Sequence, residues 1–458
     1  MNGKDFTSTR NPCKLCAPLG ASFAFRGIEG CIPLIHGSQG CSTYIRRYGI
    51  SHFREPIDIA SSNFTESSAI FGGGDNLKLA IENVASQYKP KAIGIASTCL
   101  SETMGENVPM YLSQYKTSVQ TKADDPVIWY ASTPSYRGTH MDGFFEAIYA
   151  AVTSMAGNQN FQTQKPRENT VRINLISGFV SAEDLRELHE ILSSFGVDYT
   201  LIPDYSQSLD GESWEDYQKL PSGGTTIEDI ARMNKAAATI SFDLSAPEEK
   251  KTGAWLEKQF GIPNESLYLP VGIEQTDRFF SSLERLSNTP VPKKWKDARG
   301  RLVDAYIDGH KYCSGKRAIV FGDEEHVLSI CAFLDEIGIT PAIAATGAKS
   351  PRFPERLAQV VKNSRHIPLV CDDSDFESIL ERAKDQKIDV IIGNSKGYYL
   401  SRNLGVPLVR SGFPVHDRMG GQRILHLGYR GTISLFDQVC NALMQAKQEA
   451  AESGWTYI

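Results

Sequence analysis

The stretch Val171-Arg172-Ile173-Asn174-Leu175-Ile176 decides the fold, because it opens a complete strand–helix–strand unit. Its apolar residues predict a buried strand. Ser181, with Asp184 three residues later, predicts the capped start of a helix, behind which leucine and isoleucine recur at helical spacing. Gly196 predicts the end of that helix, and residues 197–203 predict the next strand. A strand, a crossover helix and a second apolar strand indicate a parallel α/β sheet.

The same order of elements appears on both sides of this unit. Toward the C-terminus, residues 318–321 predict a strand, and residues 326–337 predict a helix that stops at Gly338. Toward the N-terminus, Ala92-Ile93-Gly94-Ile95-Ala96 predicts a strand that ends just before Cys99. Ligands of parallel sheets gather beyond the carboxyl ends of the strands, so Cys99 stands where chemistry is expected.

These units predict three domains of ordinary size in a chain of 458 residues. We predict an N-terminal α/β domain over residues 1–165, a middle Rossmann-like domain over 166–312 and a C-terminal Rossmann-like domain over 313–458. Polar segments with prolines near residues 158–168 and 288–296 are the expected linkers.

Composition excludes several classes of protein. The chain has 41% hydrophobic and 22% charged residues, which is typical of a globular protein with a sizeable core. A formal net charge of −6 argues against nucleic acid or an anionic membrane as the main partner. The N-terminus lacks the apolar region of a signal peptide, and no stretch has the length of a transmembrane helix. We therefore expect a cytoplasmic protein.

Three cysteines of the N-terminal quarter lie beside glycine, proline or small polar residues. They are Cys16, Cys41 and Cys99, and Ser135 follows as a fourth candidate ligand. Thiolates on loops, where the backbone can close around a bulky metal centre, are what an iron–sulfur cluster requires. Buried structural cysteines are the simpler alternative. Cys13 and Cys16 taken alone also fit a redox pair or half of a zinc site, although no second Cys-x-x-Cys follows.

Other polar residues have structural interpretations beside functional ones. We expect His36 to be a satisfied core histidine or a hydrogen-bond donor behind the ligands. Arg46, Arg47, His52 and Arg54 predict a basic patch, either a solvated helix surface or part of an interface. The carboxylates of residues 323–325 begin a predicted helix, and we interpret them as capping groups. No constellation for independent acid–base or nucleophilic catalysis is present.

Several motifs carry a resemblance to a known family. They are Cys16-Ala17-Pro18-Leu19-Gly20-Ala21, His36-Gly37-Ser38-Gln39-Gly40-Cys41, His52-Phe53-Arg54-Glu55-Pro56 and Thr98-Cys99-Leu100-Ser101-Glu102-Thr103. In these motifs the chain resembles the nitrogenase component 1 superfamily, on its β-subunit side, and the likeness spans nearly the whole chain. The segments 26–30 and 44–48 resemble most the NifN-type branch, the β-like subunits of the scaffold on which the nitrogenase cofactor is matured.

The resemblance implies roles for single residues. Cys16, Cys41 and Cys99 match the cluster cysteines of the family's β-subunits, and Ser135 matches the serine that can join an oxidised eight-iron P-cluster. Phe71 matches the aromatic residue where an electron-donating reductase docks; an ordinary buried phenylalanine is the alternative. Glycines 20, 37 and 40 would let the backbone approach the cluster. The implied fold is three Rossmann-like parallel-sheet domains with an interface iron–sulfur site in the N-terminal domain.

The resemblance also implies cofactors, partners and a function. The cluster would be of the four-iron type (4Fe-4S) or the eight-iron P-cluster type (8Fe-7S), shared with an α-like (NifE-type) subunit in an α2β2 heterotetramer. That partner would hold most of an iron-molybdenum cofactor precursor. An ATP-dependent nitrogenase reductase (Fe protein) and a cofactor-precursor donor protein would complete the system, without nucleic acid or membrane.

The best-known scaffold pattern contributes only the thiolate equivalent to Cys41, whereas this chain keeps all three cysteines and Ser135. That departure leaves the size of the cluster open. The scaffold role is therefore the first prediction, and a catalytic β-subunit of nitrogenase or a nitrogenase-like reductase is the alternative.

Overall fold

The computed structural model of the protein describes residues 13–118, 125–161, 170–364 and 367–453. Within them the chain forms three wholly parallel sheets, each flanked by helices. This confirms the predicted fold class of three Rossmann-like parallel-sheet units. In the described part of the chain, no helix is both long and apolar enough to cross a bilayer.

The first sheet belongs to the N-terminal part of the chain. Its strands are β1 (Cys31–His36), β2 (Ala60–Ser61), β3 (Ala92–Ser97) and β4 (Val127–Ala131). Its helices are α1 (Ala17–Arg26), α2 (Gln39–Phe53), α3 (Glu66–Phe71), α4 (Gly74–Tyr88), α5 (Cys99–Thr103), α6 (Val108–Ser118) and α7 (His140–Met155). The strand order is β2-β1-β3-β4, so β1 and β3 lie side by side at the centre.

The second sheet lies in the middle of the chain. Its strands are β5 (Arg172–Ile176), β6 (Asp198–Ile202), β7 (Ala238–Ser241) and β8 (Asn264–Ser266). Its helices are α8 (Ala182–Ser194), α9 (Ile227–Ala231), α10 (Thr252–Phe260), α11 (Gly272–Ser287) and α12 (Lys293–Cys313). The order β6-β5-β7-β8 repeats the topology of the first sheet.

The third sheet has one strand more than the others. Its strands are β9 (Arg317–Gly322), β10 (Thr340–Thr346), β11 (Leu369–Cys371), β12 (Val390–Gly393) and β13 (Leu408–Arg410). Its helices are α13 (Glu324–Glu336), α14 (Phe353–Val360), α15 (Phe376–Ala383), α16 (Tyr398–Leu404) and α17 (Gly428–Glu449). The order is β11-β10-β9-β12-β13, so β10 and β11 lie on one side of β9 and β12 and β13 on the other.

The unit that decides the fold has the predicted local structure. Ser181 accepts a hydrogen bond from the backbone N–H of Asp184, and the Asp184 carboxylate accepts one from the N–H of Ser181. This capping box satisfies two N–H groups that a helix start leaves without partners. Gly196 ends the helical segment with φ of +67°, a value that glycine adopts without steric cost.

The predicted domain boundaries are not decided by the sheets alone. The first boundary, between residues 165 and 166, lies outside the described residues. The second falls at the end of α12, whose last residue is Cys313. Each sheet lies wholly inside one predicted range. The exact boundaries stay a prediction.

Aromatic side chains fill the place where the three sheets meet. The ring of Phe413, which follows β13, lies 5.2 Å from that of Phe179 and 5.5 Å from that of Phe23, centroid to centroid. Phe53 at the end of α2 joins the same group, 5.4 Å from Phe23. One hydrophobic cluster contains buried residues of all three sheets, so burial of apolar surface joins the units.

Candidate cluster site

The three candidate thiols lie at one edge of the first sheet. Cys41 follows β1 in the first turn of α2, and Cys99 follows β3 as the first residue of α5. Cys16 is the N-cap residue of α1. Neighbouring parallel strands bring their carboxyl ends to the same edge, which is why residues far apart in sequence meet here.

Ser135 connects two of these segments. It follows β4, and its Oγ atom accepts a hydrogen bond of 3.1 Å from the N–H of Ala17, the first residue of α1. The N–H of Ser135 donates to the Cys99 sulfur over 3.2 Å. The serine therefore contacts both the Cys99 thiol and the helix that Cys16 caps. The role of these four residues as cluster ligands stays a prediction.

The surroundings of Cys16 make its thiol hard to ionise. Burial raises the pKa of the Cys16 thiol to about 12, and the thiols of Cys41 and Cys99 add to the rise. All three cysteines lie at helix starts, where backbone N–H groups and the helix dipole favour negative charge. For Cys16 the effect of burial outweighs that of the helix start, so its thiol stays protonated at neutral pH unless a metal displaces the proton.

A hydrogen-bonded carboxylate holds the helix that carries Cys99. Glu102 accepts hydrogen bonds from the hydroxyl groups of Ser97, Ser132 and Tyr130, which lie on β3, on β4 or just beyond it. Burial opposes ionisation of Glu102, but these hydrogen bonds lower its pKa below the ordinary value. The short helix α5 is therefore fixed on the ends of β3 and β4, and Cys99 with it.

The donor set faces outward. Cys99 is exposed, and Cys16 and Cys41 are partly buried, whereas Cys13 is buried as expected of a structural residue. Tyr44 and Leu100, neighbours of the thiols along the chain, are exposed by 38% and 40%. Exposed apolar side chains that group on a surface mark interaction sites, and these two lie within three residues of Cys41 and Cys99.

The chemistry of the donor set fits an iron–sulfur cluster. Soft thiolates are the ligands that iron–sulfur clusters prefer, and the Ser135 hydroxyl beside them would supply a further oxygen ligand. Among the residues that the structure describes, no group of three or more His, Cys, Asp or Glu side chains is arranged to hold a single metal ion. Cys16, Cys41 and Cys99 would bind the cluster from the side of this chain.

Two of the three glycines near the thiols lie against other parts of the protein, where a side chain would not fit. A Cβ atom on Gly20 would lie 1.7 Å from the carbonyl oxygen of His140, at the contact of α1 with α7. On Gly37 it would lie 2.3 Å from the Thr98 hydroxyl. These two glycines make room for protein atoms, and their further role in letting the backbone approach a cluster stays a prediction. Around Gly40 the nearest atom is 3.8 Å away, and the position is open.

His36 is the satisfied core histidine that the sequence indicated. It is fully buried, with Nδ1 lying 3.1 Å from the Ser62 hydroxyl and Nε2 lying 3.3 Å from the Glu106 carboxylate. Glu106 also accepts a hydrogen bond from the N–H of Gly73. The pair therefore ties the segment before Cys41 to the turn that follows Phe71.

The predicted basic patch is wrong for one of its four members. His52 is buried, and its Nδ1 accepts a hydrogen bond of 2.9 Å from the N–H of Val415. Burial lowers the pKa of His52 to about 3, so it is neutral. The imidazole ring packs against Phe53 and Phe413. The sequence could not indicate this burial, because Phe413 is distant along the chain.

Phe71 projects from the surface at the end of α3. Its side chain is 86% exposed, and that of Ile70 is 74% exposed. The alternative of an ordinary buried phenylalanine is therefore excluded. Gly72 follows with φ of +94°, a conformation that favours glycine, and turns the chain toward α4. Docking of a reductase at Phe71 stays a prediction.

The carboxylates at the start of α13 do not cap it through their side chains. Asp323 lies 2.9 Å from Nε2 of His140 at ion-pair distance, although without hydrogen-bond geometry, and Glu324 pairs with Arg356. Glu325 accepts a hydrogen bond from the N–H of Ser245. The prediction that the three carboxylates begin a helix is confirmed, because Asp323 is the N-cap residue and the two glutamates lie in the first turn. Capping by their side chains was wrong, since those side chains bind distant segments that the sequence does not reveal.

Comparison with known proteins gives the class of protein. The family model "Nitrogenase component 1 type Oxidoreductase" matches residues 16–444. The "Nitrogenase molybdenum-iron protein beta chain" of Clostridium pasteurianum is 34% identical over 451 residues, which cover 98% of this chain and 96% of that protein. The protein of the same name from Methanothermobacter thermautotrophicus is 34% identical over 448 residues, or 96% of this chain and 95% of its own.

Solved structures agree with these relatives. A chain of "Nitrogenase Cp1 at pH 6.5" superposes with a TM-score of 0.93 at 32% identity, covering 100% of this chain and 98% of the other. A chain of "Nitrogenase Cp1 at pH 5", at 16% identity and a TM-score of 0.71, shares the fold alone. The chain therefore belongs to the nitrogenase component 1 family, and within it to the β-chain type.

Proposed function

We propose that this chain is a β-type subunit whose Cys16, Cys41 and Cys99 hold an iron–sulfur cluster at the contact surface with an α-like partner. The observation that supports the proposal most strongly is the meeting of these residues with Ser135 at one open edge of the first sheet. An iron–sulfur cluster bound there supplies one-electron transfer. The chain itself supplies ligands and the surroundings that set the potential.

Each residue of the set has a defined task. The three cysteines bind as thiolates, with the helix starts of α1, α2 and α5 offsetting part of their charge. The N–H of Ser135 donates to the Cys99 sulfur, and such hydrogen bonds to sulfur tune the potential of a cluster. The Ser135 hydroxyl is the further ligand. To bind iron, its oxygen gives up the hydrogen bond that it accepts from the N–H of Ala17.

A partner subunit completes the site. Three thiols from one chain supply about half of the ligands of an eight-iron cluster, so an α-like subunit must supply the others, in an α2β2 heterotetramer. The partner would also hold the larger iron-molybdenum cofactor or its precursor. An ATP-dependent reductase would dock at the exposed Phe71, and a precursor donor protein would deliver material to the partner.

Within this class we propose the scaffold role, in which the complex supports maturation of the iron-molybdenum cofactor and passes it on. The segments Arg26–Gly30 and Tyr44–Tyr48 support that assignment through their resemblance to the NifN-type branch. A specific observation favours the catalytic alternative: the full set of Cys16, Cys41, Cys99 and Ser135 is present, and the curated relatives are named molybdenum-iron protein β chains.

One experiment separates the two roles. The chain is purified with its α-like partner and supplied with the reductase and ATP, and two activities are measured on the same preparation. A scaffold activates cofactor-deficient nitrogenase and does not reduce acetylene at enzyme-like rates. Reduction of acetylene at such rates, without activation of the cofactor-deficient enzyme, would overturn the scaffold role and establish the catalytic one.

A further inference from the structure

Two thiols far from the candidate cluster site touch each other. Cys313 is the last residue of α12 and Cys440 lies inside α17, and their sulfur atoms are 3.2 Å apart. Both residues are buried, and both thiols are free. A disulfide has its sulfurs about 2.05 Å apart, so a closing movement of roughly 1 Å separates this contact from a bond.

The two helices are packed closely enough for that bond. Gly309 lies one turn before Cys313, and a Cβ atom on it would lie 2.4 Å from the ring of Phe436 and 3.3 Å from the Cys440 sulfur. The absent side chain therefore lets α12 approach α17. Behind Cys313 the helix ends at Ser314, and Gly315 turns the chain with φ of +75°. A helix end can shift by small amounts more easily than a helix interior.

The pair has a chemical direction. A hydrogen bond from the Cys313 thiol lowers the pKa of Cys440, although burial and the carboxylate of Asp437 oppose this. The same interaction, together with burial, raises the pKa of Cys313. Thiolates, rather than thiols, react with oxidants. Cys440 is also the more accessible of the two, 7% exposed against 0% for Cys313, so it is the attacking sulfur and Cys313 the resolving one.

We propose that Cys313 and Cys440 form an oxidation site at which a hydroperoxide closes a reversible disulfide between α12 and α17. The Cys440 thiolate attacks one peroxide oxygen, the O–O bond breaks, and Cys440 becomes a sulfenic acid while hydroxide leaves. The Cys313 sulfur then attacks the Cys440 sulfur, the S–O bond breaks, and water leaves with the thiol proton. Two thiols and one hydrogen peroxide give one disulfide and two waters.

The bond would join two parts of the fold. The helix α12 leads out of the middle sheet, and α17 packs on α11 and α12 as well as on strands of the third sheet. A disulfide between residues 313 and 440 constrains a long loop of the unfolded chain, which raises stability. Oxidation therefore locks α17 onto the end of α12, the helix that leads out of the middle sheet, without using the candidate cluster thiols.

The test uses the full chain in its purified complex, treated anaerobically with hydrogen peroxide. The protein is then denatured, alkylated and digested, and its peptides are identified by mass spectrometry with and without reductant. We expect a cross-linked peptide pair that contains Cys313 and Cys440, has lost two hydrogen atoms and separates on reduction. The midpoint of thermal unfolding should rise by several degrees after oxidation.

Two variants sharpen the test. Cys440→Ala should abolish both the cross-link and the rise of the midpoint, whereas Cys331→Ala, which removes another buried thiol on α13, should leave both. The proposal is overturned if Cys313 and Cys440 remain separately alkylated at a peroxide dose that has oxidised the exposed Met419 to its sulfoxide. It is also overturned if Cys440 becomes a sulfinic acid without any cross-link. The peptide map of the unmodified sequence decides the matter even if a variant fails to fold.

Discussion

The N-terminal and middle sheets share one strand order but differ at the edge where their strands end, which is open to the surface in the first sheet and buried in the second. After the two central strands of the first sheet, β1 and β3, the chain presents Cys41 and Cys99 toward the surface. After the matching strands of the second sheet, β5 and β7, it presents Ser177 and Asp243, both buried. The topology sets where a site can form, and the residues just beyond the strands decide whether it stays open.

The closed edge is sealed by residues from elsewhere in the chain. Phe179 follows β5 and contacts Phe413 from the third sheet, while Glu325 reaches the loop after β7 through the N–H of Ser245. The open edge has no such cover within the described residues, and its thiols remain next to exposed Tyr44 and Leu100. The difference teaches that one edge serves cohesion of this chain, whereas the other is left open, as the proposed partner contact requires.

The largest loss of stability is expected at the contact of α1, the helix that Cys16 caps, with α7. Gly20→Ala places a Cβ atom 1.7 Å from the backbone oxygen of His140, and backbone atoms cannot move aside easily. The helices α1 and α7 must separate, so we expect a loss of more than about 5 kcal/mol in the free energy of unfolding, beyond that of ordinary overpacking. Gly300→Ala is the control, because nothing lies within 4 Å of its Cβ position. Equal urea midpoints for the two variants would contradict this account.

The seal of the closed edge is the next largest contributor. Phe413→Ala removes a nearly buried ring that contacts Phe23 and Phe179, and such truncations cost about 3–5 kcal/mol. Phe71→Ala removes a ring that is 86% exposed, so it should change stability by less than about 0.5 kcal/mol. Thermal unfolding of both variants checks the contrast, and a comparable loss in Phe71→Ala would break it.

Glu325 makes the closed edge sensitive to pH. Burial, with the nearby carboxylates of Glu324 and Asp243, raises its pKa from 4.5 to about 8. Between those values the folded chain keeps a proton that the unfolded chain has lost, so stability falls as pH rises through this window. Glu325→Gln keeps an acceptor for the Ser245 N–H and removes the charge, and should lose this dependence.

The check compares thermal midpoints of Glu325→Gln and the unmodified chain on both sides of the window. At about pH 9 the variant should be more stable by up to several kcal/mol, and at about pH 4 the advantage should vanish. A difference that stays constant across this range would show that the Glu325 carboxyl does not titrate as described.

The smallest losses of stability are expected for the N-terminal helix caps, of which each edge has one of the same type. Ser181 caps α8 at the closed edge and Thr98 caps α5 at the open edge, each accepting a hydrogen bond from the N–H three residues later. Either change to alanine should cost about 1 kcal/mol. The two costs should be similar, because each hydroxyl also donates to a distant carbonyl oxygen, that of Ile424 for Ser181 and that of His36 for Thr98.

Only the cap at the open edge should affect a thiol. Thr98→Ala loosens α5, so alkylation of Cys99 should become faster, whereas Ser181→Ala should leave that rate unchanged. An equal alkylation rate of Cys99 in both variants would show that α5 does not depend on its cap.

The sequence predicts local structure well and long-range pairing poorly. The apolar spacing around Leu185 and Leu188, with Ser181 and Gly196, was sufficient to predict α8 and its strands. These signals lie within a few residues of each other, where periodicity and capping act. The motifs also indicated Cys16, Cys41 and Cys99 as one set.

What could not be predicted depends on residues that meet only after folding. The partners of the carboxylates at 323–325, and the burial of His52 under Val415, join segments that are distant in the sequence. The contact of Gly20 with the backbone of His140 is of the same kind. Such pairs carry no local pattern, since each residue taken alone is equally typical of a helix cap, a surface patch or a loop.

The most direct test of the central claim is the iron content and electron paramagnetic resonance spectrum of the complex with its α-like partner. Cys41→Ala is measured beside Cys331→Ala, which removes a buried thiol outside the site. We expect Cys41→Ala to lose the interface cluster, with less iron per complex and a changed spectrum, and Cys331→Ala to match the unmodified protein. Unchanged iron and an unchanged spectrum in Cys41→Ala would contradict the claim that the thiols at the open edge bind a cluster.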